Sequence, residues 1–218
     1  SGKLGNYSRL SLDGMMVNGK LYGIPESQKA VVFWYNKELL ASPPSSTNDL
    51  LSLMKSGTPI GVSFGCYHHF GFFGAFGGEI FNNNWDIIAD QGNGVTNAMN
   101  YLNELYQISK SNGWPKNDSD SLAPFTEGRI VGVTNGNWAM GDYKNALGNN
   151  LGVAPLPAGP GGPANPMLGI DGFYFNPNST NKEVVLEVAL YLTNKQSQTI
   201  MMNEAGHVPV NTKVNVTD

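Results

Sequence analysis

The chain has 218 residues, of which 40% are hydrophobic and only 14% charged, with a formal net charge of −4. This length allows one large domain, or one domain and part of another, and the lack of a basic block argues against a nucleic-acid partner. No apolar run approaches the roughly 18 residues of a membrane-spanning helix, and the first ten residues lack the apolar core of a signal peptide. An excised domain or a mature fragment would have these properties.

Predicted strands and helices alternate along the chain. The predicted strands are 19–25, 29–36, 58–64, 129–135, 151–157 and 169–177. The predicted helices are 37–40, 46–57, 67–78, 92–113, a short one around Pro124, 138–147, 181–194 and 195–206, and the Pro/Gly-rich run 158–166 is a linker. This alternation predicts an α/β fold, with a sheet covered on its faces by helices.

Two aromatic residues occupy equivalent positions in this pattern. Tyr67 and Trp138 each begin a predicted helix directly after a predicted strand. Ligands of α/β folds collect beyond the carboxyl ends of strands, so both rings would line one edge of the sheet if their strands are neighbours. Local reasoning leaves two interpretations of Trp138 equally open, an anchor in the core and a ring presented to a ligand such as a sugar.

The motifs of common enzymes and metal sites are weak here. Cys66 is the single cysteine, which excludes an internal disulfide, and we expect it to be a small buried apolar side chain. His68 and His69 are adjacent, so they would point in different directions on a helix, and a zinc site is not expected. The chain has no G-x-S-x-G motif, and its scattered acidic residues single out no catalytic pair. The residues alone leave a Ser-His-Asp arrangement open, and the prediction of neither an enzyme nor a cofactor rests on the resemblance that follows.

Five segments together resemble a known family. They are "NGKLYGIP" (18–25), "VFWYNKELL" (32–40), "FGFFGAFGGEIF" (70–81), the pattern F-x-x-G-(K/R) … G-x-W from Phe125 to Trp138, and "LGVAPLPAGPGG" (151–162). Their order and spacing are similar to those of bacterial extracellular solute-binding proteins, family 1. The resemblance implies a periplasmic binding protein type II-like α/β fold with two lobes that close on a solute.

The resemblance also implies a function. The protein would bind a solute, most simply a sugar or oligosaccharide, outside the cytoplasm and deliver it to the membrane permease of an ABC importer. The location would be extracellular or periplasmic, and a lipid anchor on the full-length protein would fit it. A ligand-sensing or adaptor module built on the same lobe is the alternative.

The family pattern further implies a division of the chain. Residues 1–25 would cross from the N-terminal lobe, 26–168 would form the C-terminal-lobe α/β domain, and 169–218 would return as a strand and two helices. The usual partner strands of 169–218 would lie outside this sequence. That segment would therefore repack, expose apolar surface, or pair with the missing N-terminal lobe or with a second copy.

Candidate ligand-binding residues carry over from the family position by position. They are Trp138, which would stack on sugar, Tyr67, His68 and Asn137 near it, Glu26, Gln28 and Lys29 at the first crossing, and Asp171 and Gly172 at the second. Lys29 stands where the family places an acidic residue, which leaves the identity of the sugar open. Asp171 has an equally good structural interpretation, in which it pairs with amides of the hinge.

Overall fold

A computed structural model describes residues 2–216 of the chain. The chain forms two compact units, a smaller one that contains the chain up to Ala30 and from Leu168 onward, and a larger one formed by Val31–Met167. The first boundary lies five residues later than the predicted 25/26, because the strand that begins at Gly23 continues to Lys29 within the smaller unit. None of the helices in the described part of the chain combines the length and apolarity needed to cross a membrane.

Strands and helices alternate as the sequence predicted. The strands are β1 Met16–Val17, β2 Lys20–Leu21, β3 Gly23–Lys29, β4 Val31–Asn36, β5 Ile60–Val62, β6 Gly132–Gly136, β7 Leu151–Ala154, β8 Gly169–Tyr174 and β9 Val208–Pro209. The α-helices are α1 Arg9–Gly14, α2 Thr47–Lys55, α3 Cys66–Ala75, α4 Gly94–Asn112, α5 Asp118–Thr126, α6 Met140–Leu147, α7 Lys182–Leu192 and α8 Lys195–Ala205. Short 3₁₀ turns lie at Gly2–Leu4, Asn137–Ala139 and Gly148–Asn150.

A four-stranded sheet in the order β5-β6-β4-β7 forms the centre of the larger unit. β5 and β6 are parallel, whereas β4 is antiparallel to both β6 and β7. Successive side chains of β4 point to opposite faces, so Phe33 joins a core with α2, α3 and α4, and Trp34 joins a core with α5 and α6. The predicted α/β sheet covered on both faces is confirmed.

Local signals explain where several helices begin and end. Ser46 and Asp49 form a capping box at the start of α2, and Gly113 ends α4 in the left-handed conformation, with φ 68°. The predicted helix at 37–40 is wrong. This segment is a turn, in which the Asn36 side chain accepts a hydrogen bond from the Glu38 backbone N–H at 3.0 Å.

The smaller unit contains a three-stranded antiparallel sheet in the order β8-β3-β9. β8 pairs with β3 along its length, from Gly23 opposite Tyr174 to Lys29 opposite Gly169. The 169–177 strand therefore has a partner within this chain, which agrees with repacking, one of the alternatives expected for this segment. A bulge between Pro25 and Ser27 interrupts this pairing at Glu26.

Gln198 is the centre of a buried polar network in the smaller unit. Its side-chain N–H donates to the Glu26 carbonyl at 2.9 Å, and its side-chain oxygen accepts from the backbone N–H groups of Val210 and Asn211 at 3.0 and 2.8 Å. Gln198 is only 1% exposed, so each of these groups would lose its partner away from water if the side chain were removed. One side chain thus holds α8 against β3 and the segment that follows β9.

Gln198→Ala is expected to lower the free energy of unfolding by about 3 kcal/mol, because it leaves buried backbone groups unpaired. Urea unfolding followed by circular dichroism would measure the loss. Gln107→Ala, which truncates an exposed glutamine of α4, is the control and should change stability by less than about 0.5 kcal/mol. Equal effects of the two substitutions would contradict the role assigned to Gln198.

Candidate functional site

The parallel pairing of β5 with β6 brings two chain segments to one edge of the sheet. Val62 of β5 lies opposite Thr134 of β6, so both strands end at the same edge. α3 begins at Cys66 shortly after β5, and the 3₁₀ turn Asn137–Ala139 follows β6 directly. The predicted proximity of the residues that follow these two strands is therefore confirmed.

Three rings meet at this edge, and we call Tyr67, His68 and Trp138 the edge cluster. The ring centroids of Trp138 lie 5.9 Å from Tyr67 and 5.8 Å from His68, with the histidine ring nearly perpendicular at 80°. Trp138 is 38% exposed, whereas Tyr67 and His68 are half-buried. More than a third of its surface remains open, so the structure presents Trp138 at this edge, which favours the interpretation as a presented ring over that as an anchor in the core.

The turn formed by residues 135–138, with the sequence "NGNW", fixes the position of Trp138. The Trp138 ring packs directly on Gly136, where any Cβ would overlap its six-membered ring. The turn is held in place by the Asn135 side chain, which accepts from the Gly136 N–H at 2.7 Å and donates to the Tyr143 hydroxyl at 2.9 Å. The indole N–H of Trp34 also donates to the Gly136 carbonyl, at 3.2 Å. The turn at the end of β6 is thus held by three hydrogen bonds, and it supports the Trp138 ring through Gly136.

His68 contributes an unused polar atom to the edge cluster. Its Nε2 atom has no hydrogen-bond partner within residues 2–216, and the nearest carboxylate oxygen, Asp118 Oδ2, lies 4.0 Å away. That distance is too long for a hydrogen bond. His68 Nε2 is itself buried, so His68 supports the aromatic platform from within, and the exposed Asp118 carboxylate is the polar group at its margin.

The other predicted site residues lie in the smaller unit, where each has a partner. Buried Glu26 accepts from His207 Nδ1, which lies 2.9 and 3.1 Å from its two carboxylate oxygens. Gln28 donates to the Ser11 hydroxyl at 2.8 Å, Lys29 forms an ion pair with Asp171, and Gly172 packs against the backbone of β3 at Ile24. The structure thus places the candidates in two sets, the edge cluster with Asn137 in one unit and these five in the other.

Comparison with known proteins assigns the chain to a family. Residues 3–218 match the family model described as bacterial extracellular solute-binding protein. The chain belongs to this family. It is 26% identical to the maltodextrin-binding protein MdxE of Bacillus subtilis over 90% of this chain and 51% of that protein. It is 27% identical to a galactooligosaccharide-binding protein of the same organism over 93% of this chain and 52% of that protein.

Solved structures of family relatives share the fold. The maltose-maltodextrin binding protein of Alicyclobacillus acidocaldarius matches with a TM-score of 0.83 and 25% identity, covering 100% of this chain and 62% of that one. The Thermus thermophilus maltotriose binding protein bound with maltotriose matches with a TM-score of 0.82 and 27% identity, covering 97% and 60%. The chain spans about half the length of the curated relatives it matches. The family and its maltose-binding-protein type of α/β fold are thus as the sequence motifs implied.

One residue beside the edge cluster, Cys66, differs from the sequence-based expectation. Cys66, expected to be buried, is exposed, because it occupies the first turn of α3. His69 is mostly buried beside Phe64, with ring centroids 5.1 Å apart. Burial, and then the nearby His68, lower the pKa of His69 to about 4.

The residues that the structure describes include no cluster of three or more side chains able to hold a metal ion.

Gly136→Ala is expected to push the Trp138 ring away from its support, since a methyl group and the ring would occupy the same space. The tryptophan emission and the near-ultraviolet circular dichroism of the protein should both change. Gly141→Ala is the matched control, because a Cβ there meets nothing within 4 Å and alanine favours a helix by about 1 kcal/mol over glycine. Unchanged spectra in Gly136→Ala would contradict the packing described.

The low pKa of His69 predicts a loss of stability in acid. Unfolded histidine binds its proton below a pH of about 6.5, whereas folded His69 binds it only near pH 4. The unfolded state therefore gains protons first, and the free energy of unfolding should fall by up to about 3 kcal/mol between these values. His69→Gln should flatten this part of the pH profile, as measured by urea unfolding. Identical profiles of the two proteins would show that His69 is not the group responsible.

Proposed function

We propose that this protein is the solute receptor of an ABC importer and that its solute is a sugar or oligosaccharide. The edge cluster carries this proposal, because it combines a supported and partly exposed indole ring with a second aromatic ring, and the accessible carboxylate of Asp118 lies beside it. Sugars present apolar C–H faces and hydroxyl groups, which match these two kinds of surface. The relatives named for maltodextrin, galactooligosaccharide and maltotriose support the ligand class.

In this proposal the edge cluster recognises the solute without covalent chemistry. Trp138 stacks on a sugar face, and Tyr67 limits how far that sugar can move across the ring. Asp118, whose side chain is 41% exposed beside His68, accepts a hydrogen bond from a hydroxyl of that sugar. Asn137 lies half-buried next to Trp138, and a hydroxyl that reaches its amide would compete with a contact that Asn137 already makes. The protein is accordingly a binding protein and not an enzyme.

In this proposal the candidates in the smaller unit contribute less to solute binding than the edge cluster does. A sugar that contacts Glu26, Gln28, Lys29 or Asp171 must compete with the hydrogen bond or ion pair that each already makes, and Gly172 offers the sugar only its backbone. Lys29 and Asp171 are the more accessible of these, with side chains 36% and 49% exposed. Exposed ion pairs contribute little stability, so this pair could be exchanged at small cost.

The proposed receptor acts with other proteins and outside the cytoplasm. A single aromatic wall covers one side of a sugar, whereas small-molecule sites bury most of the ligand surface. We propose that an N-terminal lobe of the kind the family resemblance implies, or a second copy, supplies the opposite wall. The membrane permease of the importer would accept the solute, and a lipid anchor would keep the receptor near it.

Trp138→Ala is expected to weaken maltotriose binding by at least about 10-fold, because it removes the stacking surface. Isothermal titration calorimetry of the full-length gene product would measure this, with a galactooligosaccharide as the second ligand. The cost in stability should stay near 1 kcal/mol, well below the 3–5 kcal/mol typical of a buried tryptophan. Tyr191→Ala, which removes a ring that is 69% exposed on α7, is the control and should leave binding unchanged.

Two results would count against the proposal. If neither saccharide binds the unmodified protein, the ligand class is wrong. If Trp138→Ala instead costs about 3 kcal/mol or more in stability, then the ring is a core residue, and its loss would impair binding only through the fold.

A further inference from the structure

A loop of the larger unit presents large apolar side chains to solvent. It follows α3 and exposes 44% of Phe81, 80% of Trp85 and 73% of Ile87. Trp85 has a φ of 65°, and Asn18 is the other non-glycine residue with positive φ in residues 2–216. Bulky side chains rarely adopt this left-handed conformation, which glycine adopts freely. Trp85 therefore has a backbone conformation that is strained for a residue with a bulky side chain.

The loop is held in one conformation by Asn82. The Asn82 side-chain oxygen accepts from the backbone N–H groups of Asn84 and Asp86 at 2.8 and 3.0 Å, and its amide donates to the Asp86 carboxylate at 2.9 Å. The Trp85 N–H donates to the Asn82 carbonyl at 3.0 Å. A bridge between Phe81 and Ile87 closes the loop. Residues in strained conformations persist when surrounding bonds fix them, and such residues are frequent at ligand sites.

A cavity of about 470 Å³ lies between this loop and α3, and we call it the loop pocket. Its apolar wall consists of Phe70 and Phe73 of α3, whose centroids are 6.0 Å apart, and of Phe81 and Trp85 of the loop, 5.9 Å apart. Its volume falls within the range of sites that bind small molecules. Two aromatic pairs therefore line a space large enough for one or two sugar rings.

Three polar residues of the loop pocket are available to a ligand, whereas the side chain of Asn82, which also lines it, is engaged in the hydrogen bonds of the loop. Asn83, Asn165 and Glu79 line it, and within residues 2–216 their side chains take part in no hydrogen bond or ion pair. Asn165 packs against Gly74 of α3, where a Cβ would come within 2.8 Å of its amide nitrogen. The amide is thereby held at the pocket wall. Amides and carboxylates exchange hydrogen bonds with hydroxyl groups, which a saccharide provides in several directions.

The charge of the lining restricts the class of ligand. Among the described residues that line the loop pocket, Glu79 is the one charged group, and neither lysine nor arginine is present. An anionic ligand would find no cation, and a flat apolar partner surface would leave the amides unpaired, at a cost in free energy. A neutral, polyhydroxylated ring satisfies both the aromatic wall and the amides.

We propose that the loop pocket is a second carbohydrate site, separate from the edge cluster, with Trp85 as its stacking ring. It goes beyond the proposed function by adding a site on a different part of the larger unit. Its ligand class rests in part on that function, because a neutral saccharide is the solute proposed for the edge cluster. The two sites use different tryptophans, so they can be observed separately.

The test follows each tryptophan individually. Incorporation of 5-fluorotryptophan into the full-length gene product gives ¹⁹F resonances that single Trp→Phe substitutions assign, among them those of the four tryptophans of this chain. Maltotriose is titrated at millimolar concentrations, with glycerol as the control for solvent effects. We expect a saturable shift of the Trp85 resonance, and we expect it to persist in Trp138→Ala.

The outcomes separate the two proposals. A Trp85 resonance that does not respond to maltotriose overturns the loop pocket, and the exposed loop would then be a protein contact. A Trp85 shift that disappears in Trp138→Ala overturns its independence, because one site would then account for both responses. Failure of the proposed function has a different signature, in which the Trp138 resonance does not respond.

A second measurement excludes collapse of the loop as the cause. In the Trp138→Ala background, maltotriose binding is followed by saturation-transfer NMR. Trp85→Gly removes the ring and suits the positive φ, so it should preserve the loop while weakening this binding on the order of 10-fold. Ile87→Ala truncates an exposed apolar neighbour that does not line the pocket, and it should leave binding unchanged. Equal binding by Trp85→Gly and its parent would overturn the proposal.

Discussion

The parallel pairing of β5 and β6 is the constraint on which the proposed solute site depends. Two strands that run side by side in the same direction end at the same edge of the sheet, whatever the chain does between them. Here that edge receives the start of α3 and the turn Asn137–Ala139, although the two segments are far apart in sequence. The edge cluster is therefore a product of sheet topology, and the rings need no long loop to meet.

The two helix layers around the sheet make this edge rigid. Phe33 and Trp34 are neighbours in β4, yet they enter different hydrophobic cores on opposite faces. Tyr143 of α6 contacts Trp34 in one of these cores and also bonds to Asn135 at the end of β6. Burial raises the pKa of Tyr143 to about 12, so its hydroxyl stays neutral. Packing in the core and the turn that supports Trp138 are thus directly connected.

The sequence was sufficient for the features that follow from periodicity and from strand order. The α/β class and the shared position of Tyr67 and Trp138 could be predicted, because each depends on a local pattern. The Glu26–His207 pair could not, since its members lie 181 positions apart and nothing near either residue indicates the other. The packing of Trp138 on Gly136 and the left-handed conformation of Trp85 were missed for a different reason. A tryptophan residue does not indicate a left-handed backbone at its own position, whereas a glycine residue would. Gly136 likewise does not indicate which ring packs on it.

The exposure of Cys66 has a practical consequence. It is the single cysteine of the chain, it lies on the surface, and it directly precedes Tyr67 in the first turn of α3. A thiol-reactive fluorophore would therefore attach at one defined position next to the edge cluster, with no cysteine to remove and none to introduce. A dye at this position would lie directly beside the solute site proposed for the edge cluster, so its emission would provide a direct optical test of binding there.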